Sequence, residues 1–261
     1  IIVQSGNDAC VVLAEGIAGS EEDFVDLMNA KARDLGLKNS HFANATGMPH
    51  RNHYMSASDI ANLSARIISD FPDYYHYFSE KRFLYNKINQ PNRNTLLHVN
   101  GIDGLKTGHT SVGKYGIAVS AFKEGRRLIA VVNGLGNERA RATEAHKLLQ
   151  YGFLNFINVT VTGHETILGE IPVFLGNVEK VKFGAKKNMT FTVPISQKGK
   201  TSIKIKYPSV LYAPVDKKTK IGEVNIKLYD GSAYNFDLYP SREVGKTNFF
   251  SSMIVKIKNF F

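Results

Sequence analysis

Apolar positions in this chain follow helical spacing, in alternation with β-rich runs, up to about Ile157; short β-rich stretches separated by turns take over from there. Ser20 followed by Glu21, Glu22 and Asp23 has the form of a helix cap with an acidic first turn, and Phe24, Leu27, Met28, Ala32 and Leu35 then recur at helical spacing until Gly36. The spacing predicts an amphipathic helix. A second begins at the Ser56/Ser58-Asp59 cap, runs through Ile60, Leu63, Ile67 and Ile68, and must end before Pro72. Tyr115–Phe122 and Arg127–Val132 flank Lys123-Glu124-Gly125-Arg126 as the arms of a hairpin. Ala145, Leu148, Leu149, Gly152, Phe153 and Phe156 trace one face of a helix over Ala140–Phe156.

Beyond that helix, Val178–Phe183, Met189–Val193, Thr201–Tyr207 and Glu223–Tyr229 predict strands with few helical signals between them, so residues 157–244 read as a separate, smaller all-β domain after a first domain over 1–156. The tail 245–261 differs again. At 100° per residue Phe249, Phe250, Met253, Ile254, Ile257, Phe260 and Phe261 share one sector, with Ser251, Ser252, Lys256, Lys258 and Asn259 opposite. It is too short to span a bilayer, and it is expected to lie as an amphipathic helix on a membrane surface through 247–261.

Composition narrows this picture. With 261 residues, 43% hydrophobic and only 8 prolines, the chain can bury a core and is not disordered. Its opening Ile1-Ile2-Val3-Gln4 is too short and uncharged for a signal peptide, so the expectation is a cut inside a longer protein. Cys10, in the apolar run Ala9–Leu13, is the sole cysteine; no internal disulfide can form, and a buried structural thiol is expected. The net charge of +10 comes from scattered lysines without a compact basic block among aromatics, so no nucleic-acid partner is expected. Attraction to a membrane or an anionic wall polymer accounts for such charge. No metal or other cofactor is expected: the 8 histidines form no His-Glu-x-x-His, and His50-x-x-His53 alone is a chance-level pair.

Two tripeptides carry the chemistry, Ser5-Gly6-Asn7 and, about a hundred residues later, Lys106-Thr107-Gly108. Either alone arises often by chance. In this order and at this separation they resemble the second and third motifs of the penicillin-recognising serine enzymes. The segments Asn44-Ala45-Thr46-Gly47-Met48, Tyr54-Met55-Ser56-Ala57-Ser58-Asp59, Asn92-Arg93-Asn94-Thr95-Leu96-Leu97 and Gly101–Thr110 are similar to those of the low-molecular-mass D-alanyl-D-alanine carboxypeptidases. So is the layout of peptidase domain, β-domain and amphipathic tail.

That resemblance implies an α/β (α+β), β-lactamase-like transpeptidase domain, here without its N-terminal part. It implies removal of the terminal D-Ala from peptidoglycan stem peptides ending in D-Ala-D-Ala, through a serine acyl-enzyme that β-lactams inhibit. The setting implied is the bacterial periplasm, at the outer face of the cytoplasmic membrane. Ser5 would relay a proton, Asn7 hold the substrate amide and Lys106 supply positive charge beside both. Thr107 would offer its hydroxyl to the terminal carboxylate, with Gly108 and His109 on the same edge strand. Arg141, in the first turn of the following helix, would complete the grip. The nucleophile of such enzymes lies in a Ser-x-x-Lys motif that precedes Ser-x-Asn, and only four residues precede Ser5. Ser111-Val112-Gly113-Lys114 and Ser120-Ala121-Phe122-Lys123 are decoys, the second because residues three apart on a strand point to opposite faces. No nucleophile is therefore assigned in this chain, which alone is expected to be inactive.

Other readings fare worse. A class A β-lactamase needs a Glu-x-x-x-Asn between the motifs, and none occurs between Asn7 and Lys106. A dinucleotide loop at Gly134-Leu135-Gly136-Asn137-Glu138-Arg139 has Arg139 in place of its third glycine. A non-catalytic wall-binding protein stays open as the alternative.

Overall fold

The computed structural model describes residues 1–161 and 166–247, in two compact units, Ile1–Leu154 and Asn155–Phe261. In chain order the first unit holds α1 (Asn7–Ala18), α2 (Glu21–Asp34), β1 (Ser40–His41), β2 (Tyr54–Met55) and α3 (Ala57–Asp70), then β3 (Arg82–Tyr85), β4 (Ile88–Pro91), β5 (Ile102–Thr110), β6 (Lys114–Lys123), β7 (Arg126–Leu135) and α4 (Glu138–Asn155). Short 3-10 turns at Tyr75–Ser79 and Thr95–His98 link the middle elements.

Local chemistry sets several of these boundaries. Ser20 Oγ accepts from the Asp23 amide at 3.0 Å at the start of α2, and Ser56 Oγ accepts from the Asp59 amide at 3.1 Å at the start of α3. The β6–β7 hairpin turns through Glu124 and Gly125, both left-handed (φ 51° and 73°), which matches the twist of the paired strands. Helix α1 is an element that the apolar run Ala9–Leu13 did not reveal. Because a helix distributes a continuous run around its axis, only Ala14 is fully buried, while Val12, Leu13 and Ile17 are exposed and Cys10 is half-buried. The expected core thiol is corrected accordingly.

Antiparallel β5, β6 and β7 form a sheet in that order, with β5 at an edge. One side packs Leu105 and Ala118 with Tyr75 and, from α3, Ile60, Ile67 and Ile68. The other packs Ile117, Val119, Ala121 and Ala130 against Ala145 and Leu149 of α4. Two positions on the expected α4 face are corrected: Leu148 is 44% exposed, and Phe156 begins the next strand. The face that packs is set by Ala142, Ala145, Leu149 and Phe153. Gly152 belongs to it because Leu128 comes so close that a Cβ would lie 2.8 Å from its methyl.

A polar cluster ties the three strands together. Arg127 of β7 makes two parallel bonds of 2.8 Å to the Asp103 carboxylate of β5 and a third of 2.5 Å to Ser120 Oγ of β6. Tyr75 Oη donates to Asp103 at 3.2 Å, and burial, ahead of its polar neighbours, pushes its pKa up to about 12.

The second unit is all β among its described residues apart from one short turn, Ile195–Gln197. It comprises β8 (Phe156–Thr160), β9 (Ile167–Phe174), β10 (Lys180–Gly184), β11 (Thr190–Pro194), β12 (Thr201–Lys206), β13 (Leu211–Tyr212), β14 (Gly222–Leu228) and β15 (Ala233–Pro240). Six of them form a sheet in the order β12-β14-β15-β10-β9-β13, and β11 pairs with β8. Ile171, Phe183, Met189, Phe191, Ile226 and Leu238 fill the core. The amphipathic helix expected in the tail lies outside the described residues, apart from Thr247 at its start.

Candidate active site

Ser5 precedes α1 with φ +56°, a left-handed conformation that costs a non-glycine residue roughly 1–2 kcal/mol. Gly6 follows as an extended helix cap, and Asn7 is the first residue of α1. This bend brings Ser5 Oγ to the Nζ of Lys106 on β5, which donates to it across a separation of 101 residues. Lys106 Nζ also donates to the Thr107 carbonyl at 3.1 Å.

The ammonium sits among other cations. Burial lowers the Lys106 pKa first and the charge of Arg93 next; Cys10 opposes them, and Arg141 adds the smallest lowering. Among the described residues no carboxylate lies within salt-bridge distance of Lys106, Arg93 or Arg141. The site therefore holds an excess of positive charge, with Glu138 acting on Arg141 from beyond ion-pair distance, and suits an anion.

Cross-strand register places Thr107 opposite Ile117 and His109 opposite Tyr115, on the side of the sheet that α4 covers. Arg141 enters from α4, and with 4% exposure it is no solvated helix-start arginine. Its Nη2 donates to the Arg93 carbonyl at 3.2 Å, and its guanidinium lies 5.7 Å from the centre of the Tyr115 ring. That ring packs on His109 at a tilt, with ring centres 4.1 Å apart. Thr107 is buried, whereas Gly108 and His109 are exposed on the free edge of β5. The structure thus brings together Ser5, Lys106, Thr107, His109 and Arg141. Asn7 is exposed, and its side chain makes no hydrogen bond among the described residues.

Two contributors were not picked out from the sequence. Arg93 raises the positive potential around Lys106, and buried Asn94 beside it donates to the Gly104 carbonyl at 3.1 Å, holding the start of β5. Both lie in the quoted segment Asn92–Leu97, so the signal was present without a role attached. The decoy serines are now placed. Ser120 is fully buried and bonded to Arg127, and Ser111 lies in the turn after β5. Asn137, in the glycine loop ahead of α4, spends its Oδ1 on the Ala140 amide at 2.8 Å as a helix cap.

Fold and site together define a class, a mixed α/β domain of the penicillin-recognising type followed by a smaller β domain. Comparison with known proteins narrows it. The family model described as D-alanyl-D-alanine carboxypeptidase matches residues 1–137, and that of the C-terminal domain of penicillin-binding protein 5 matches 156–246. The D-alanyl-D-alanine carboxypeptidase DacA of Haemophilus influenzae is 38% identical over all of this chain and 68% of its own length, and DacD of Escherichia coli is 37% identical over 97% of this chain and 66% of its own. The crystal structure of penicillin-binding protein 5 from Haemophilus influenzae superposes with a TM-score of 0.87 at 39% identity, covering 94% of this chain and 72% of the other. The chain belongs to the D-alanyl-D-alanine carboxypeptidase family, and it spans about two thirds of the length of these curated relatives.

Proposed function

We propose that the gene product carrying these residues is a serine-type carboxypeptidase that removes the terminal D-Ala from peptidoglycan stem peptides ending in D-Ala-D-Ala and is acylated by β-lactams. The observation that carries this reading is the Lys106 ammonium held on Ser5 Oγ beside the cationic side chains of Arg93 and Arg141. The substrate peptide lies along the free edge of β5 as an added strand. Its terminal carboxylate is gripped by the Thr107 hydroxyl and Arg141, with Arg93 and Lys106 adding to the field. A serine from a Ser-x-x-Lys motif attacks the D-Ala–D-Ala carbonyl as its hydroxyl proton passes to that motif's lysine; the C–N bond breaks, and Ser5, polarised by Lys106, takes up that proton while giving its own to the departing amine. Water then releases the acyl group and regenerates the serine. Asn7 holds the substrate amide from the start of α1.

Support for the family's chemistry in place of β-lactam turnover comes from the lack of a Glu-x-x-x-Asn between the motifs, so the acyl-enzyme from penicillin should persist. The location that goes with this reading is the periplasmic face of the membrane, with 247–261 on the lipid surface. No described helix is long and apolar enough to cross a membrane. Deleting 247–261 should move the protein from the membrane fraction to the soluble one, and unchanged sedimentation would remove that part of the reading.

Labelling with fluorescent penicillin tests the main claim. The natural gene product should give a covalent band that survives denaturation, Lys106→Ala should lose it, and Ser120→Ala should keep it. A gene product that takes no label would overturn the carboxypeptidase reading in favour of a wall-binding protein.

A further inference from the structure

The edge of β5 is open at one end only. At Gly104 its outward carbonyl is occupied by Asn94 Nδ2, and Tyr75 packs so close that a Cβ on Gly104 would collide with its hydroxyl. From Thr107 to Thr110 no backbone hydrogen bond to another element replaces the missing strand. A peptide whose terminal carboxylate is held at Thr107 and Arg141 must therefore run toward Thr110. At about 3.3 Å per residue, its third residue before the terminus falls beside Thr110.

A second recess opens there. It has a volume of about 430 Å³ and is lined by His50, Arg51 and His53 with Thr110, Val112 and Gly113; Thr110 and Gly113 also line the recess that contains Lys106 and Thr107. Neither recess has an Asp or Glu in its lining. The loop that carries the basic residues is built to hold its shape. Ser40 and His41 pair with Met55 and Tyr54, and Asn44 Oδ1 accepts from the amides of Gly47 at 2.7 Å and Met48 at 3.1 Å. Asn29 holds Phe42 through both its backbone N–H and its carbonyl, and Glu21 accepts from the Ala45 amide at 2.9 Å.

The histidines are oriented by the same loop. His50 Nδ1 accepts from the Asn52 amide and His53 Nδ1 from the Ala43 amide, each at 3.2 Å, so in the neutral ring the proton stays on Nε2. Burial, with the charges of His41 and His50, lowers the His53 pKa, which favours that neutral donor form. Arg51 is exposed and makes no ion pair among the described residues.

We infer that His50, Arg51 and His53 form a subsite that selects peptides bearing a carboxylate on the third residue before the terminal D-Ala. The inference rests on the carboxypeptidase reading and adds a preference to it. Two imidazole N–H donors and a guanidinium supply charge-assisted bonds to a carboxylate, and the uncharged amide analogue forfeits them.

The test compares two peptides of sequence X-L-Lys-D-Ala-D-Ala, with X either Glu or Gln, hydrolysed by the natural gene product. The expected kcat/KM favours Glu by about five- to tenfold, the scale of one or two charge-assisted bonds in partial solvent. In the double variant His50→Gln/Arg51→Gln the ratio should fall to about twofold, the share left to the one remaining imidazole donor. His53 is left in place because its ring supports the Ala43 backbone. A ratio near one in the unmodified protein, or a preference of undiminished size in the double variant, overturns the subsite while leaving the carboxypeptidase intact. Hydrolysis of neither peptide, with no penicillin adduct, overturns the carboxypeptidase reading and the subsite with it.

Discussion

Two serines in the first unit each accept a bond from a basic side chain that reaches over from β5 or β7, and the surroundings of the two pairs differ in sign. Around Ser120 the cation is Arg127, and the Asp103 carboxylate neutralises it with two parallel bonds. Around Ser5 the cation is Lys106, and the cations near it are Arg93 and Arg141. The difference shows in the pKa directions. Bonding to Asp103 raises that of Arg127, while burial and like charge lower that of Lys106. A compensated pair binds the fold together. An uncompensated one leaves a field for an anionic substrate and costs the folded state something to maintain.

Removing one member from each pair should therefore move stability in opposite directions. Asp103→Ala leaves the Arg127 guanidinium without its counterion and should destabilise the protein by about 2–3 kcal/mol, less than for a fully buried pair because solvent reaches both partners. Lys106→Met relieves repulsion and should stabilise it by about 0.5–1 kcal/mol while abolishing the penicillin adduct. Urea unfolding of both variants provides the check. Destabilisation by Lys106→Met equal to that from Asp103→Ala would mean that the two serine–cation pairs are alike, and the contrast would fail.

The same contrast explains what could be read from the sequence. Ser20 and Ser56 caps, the Glu124-Gly125 turn and the face of α3 follow from local rules, so they could be inferred from short windows; on α2 the same rules placed Leu27 on the packed face, where it is 52% exposed. Ser5 and Lys106 were found through a motif pair, since nothing local joins residues 101 apart. The Asp103–Arg127–Ser120 cluster has no local signature at all; it arises from cross-strand register. Leu148 misled for a related reason, because apolar periodicity locates a stripe on α4 but not which of its edges the sheet covers. Helix α1 was hidden because its exposed Val12, Leu13 and Ile17 interrupt the polar face by which an amphipathic helix is recognised.

The smallest expected effect sharpens the comparison from the compensated side. Tyr75 donates to Asp103 and is buried, and its pKa is pushed up to about 12, so folding holds its proton more tightly than the unfolded chain does. Stability from this group is intact below pH 10, the ordinary tyrosine value, and is lost as pH rises from there through about 12. Tyr75→Phe removes both the bond and the titration. At pH 8 the variant should be less stable than the parent by about 1 kcal/mol, one hydrogen bond to a charged acceptor offset by easier burial of the ring. At pH 11 the parent alone has had to give up part of this stabilisation, and the gap should close by about 1 kcal/mol. Urea midpoints of the two proteins at both pH values measure this, with the other tyrosines cancelling in the difference. A gap that stays constant from pH 8 to pH 11 would show that the Tyr75 hydroxyl is not shielded, and that the Asp103 cluster is more open to solvent than a compensated pair requires.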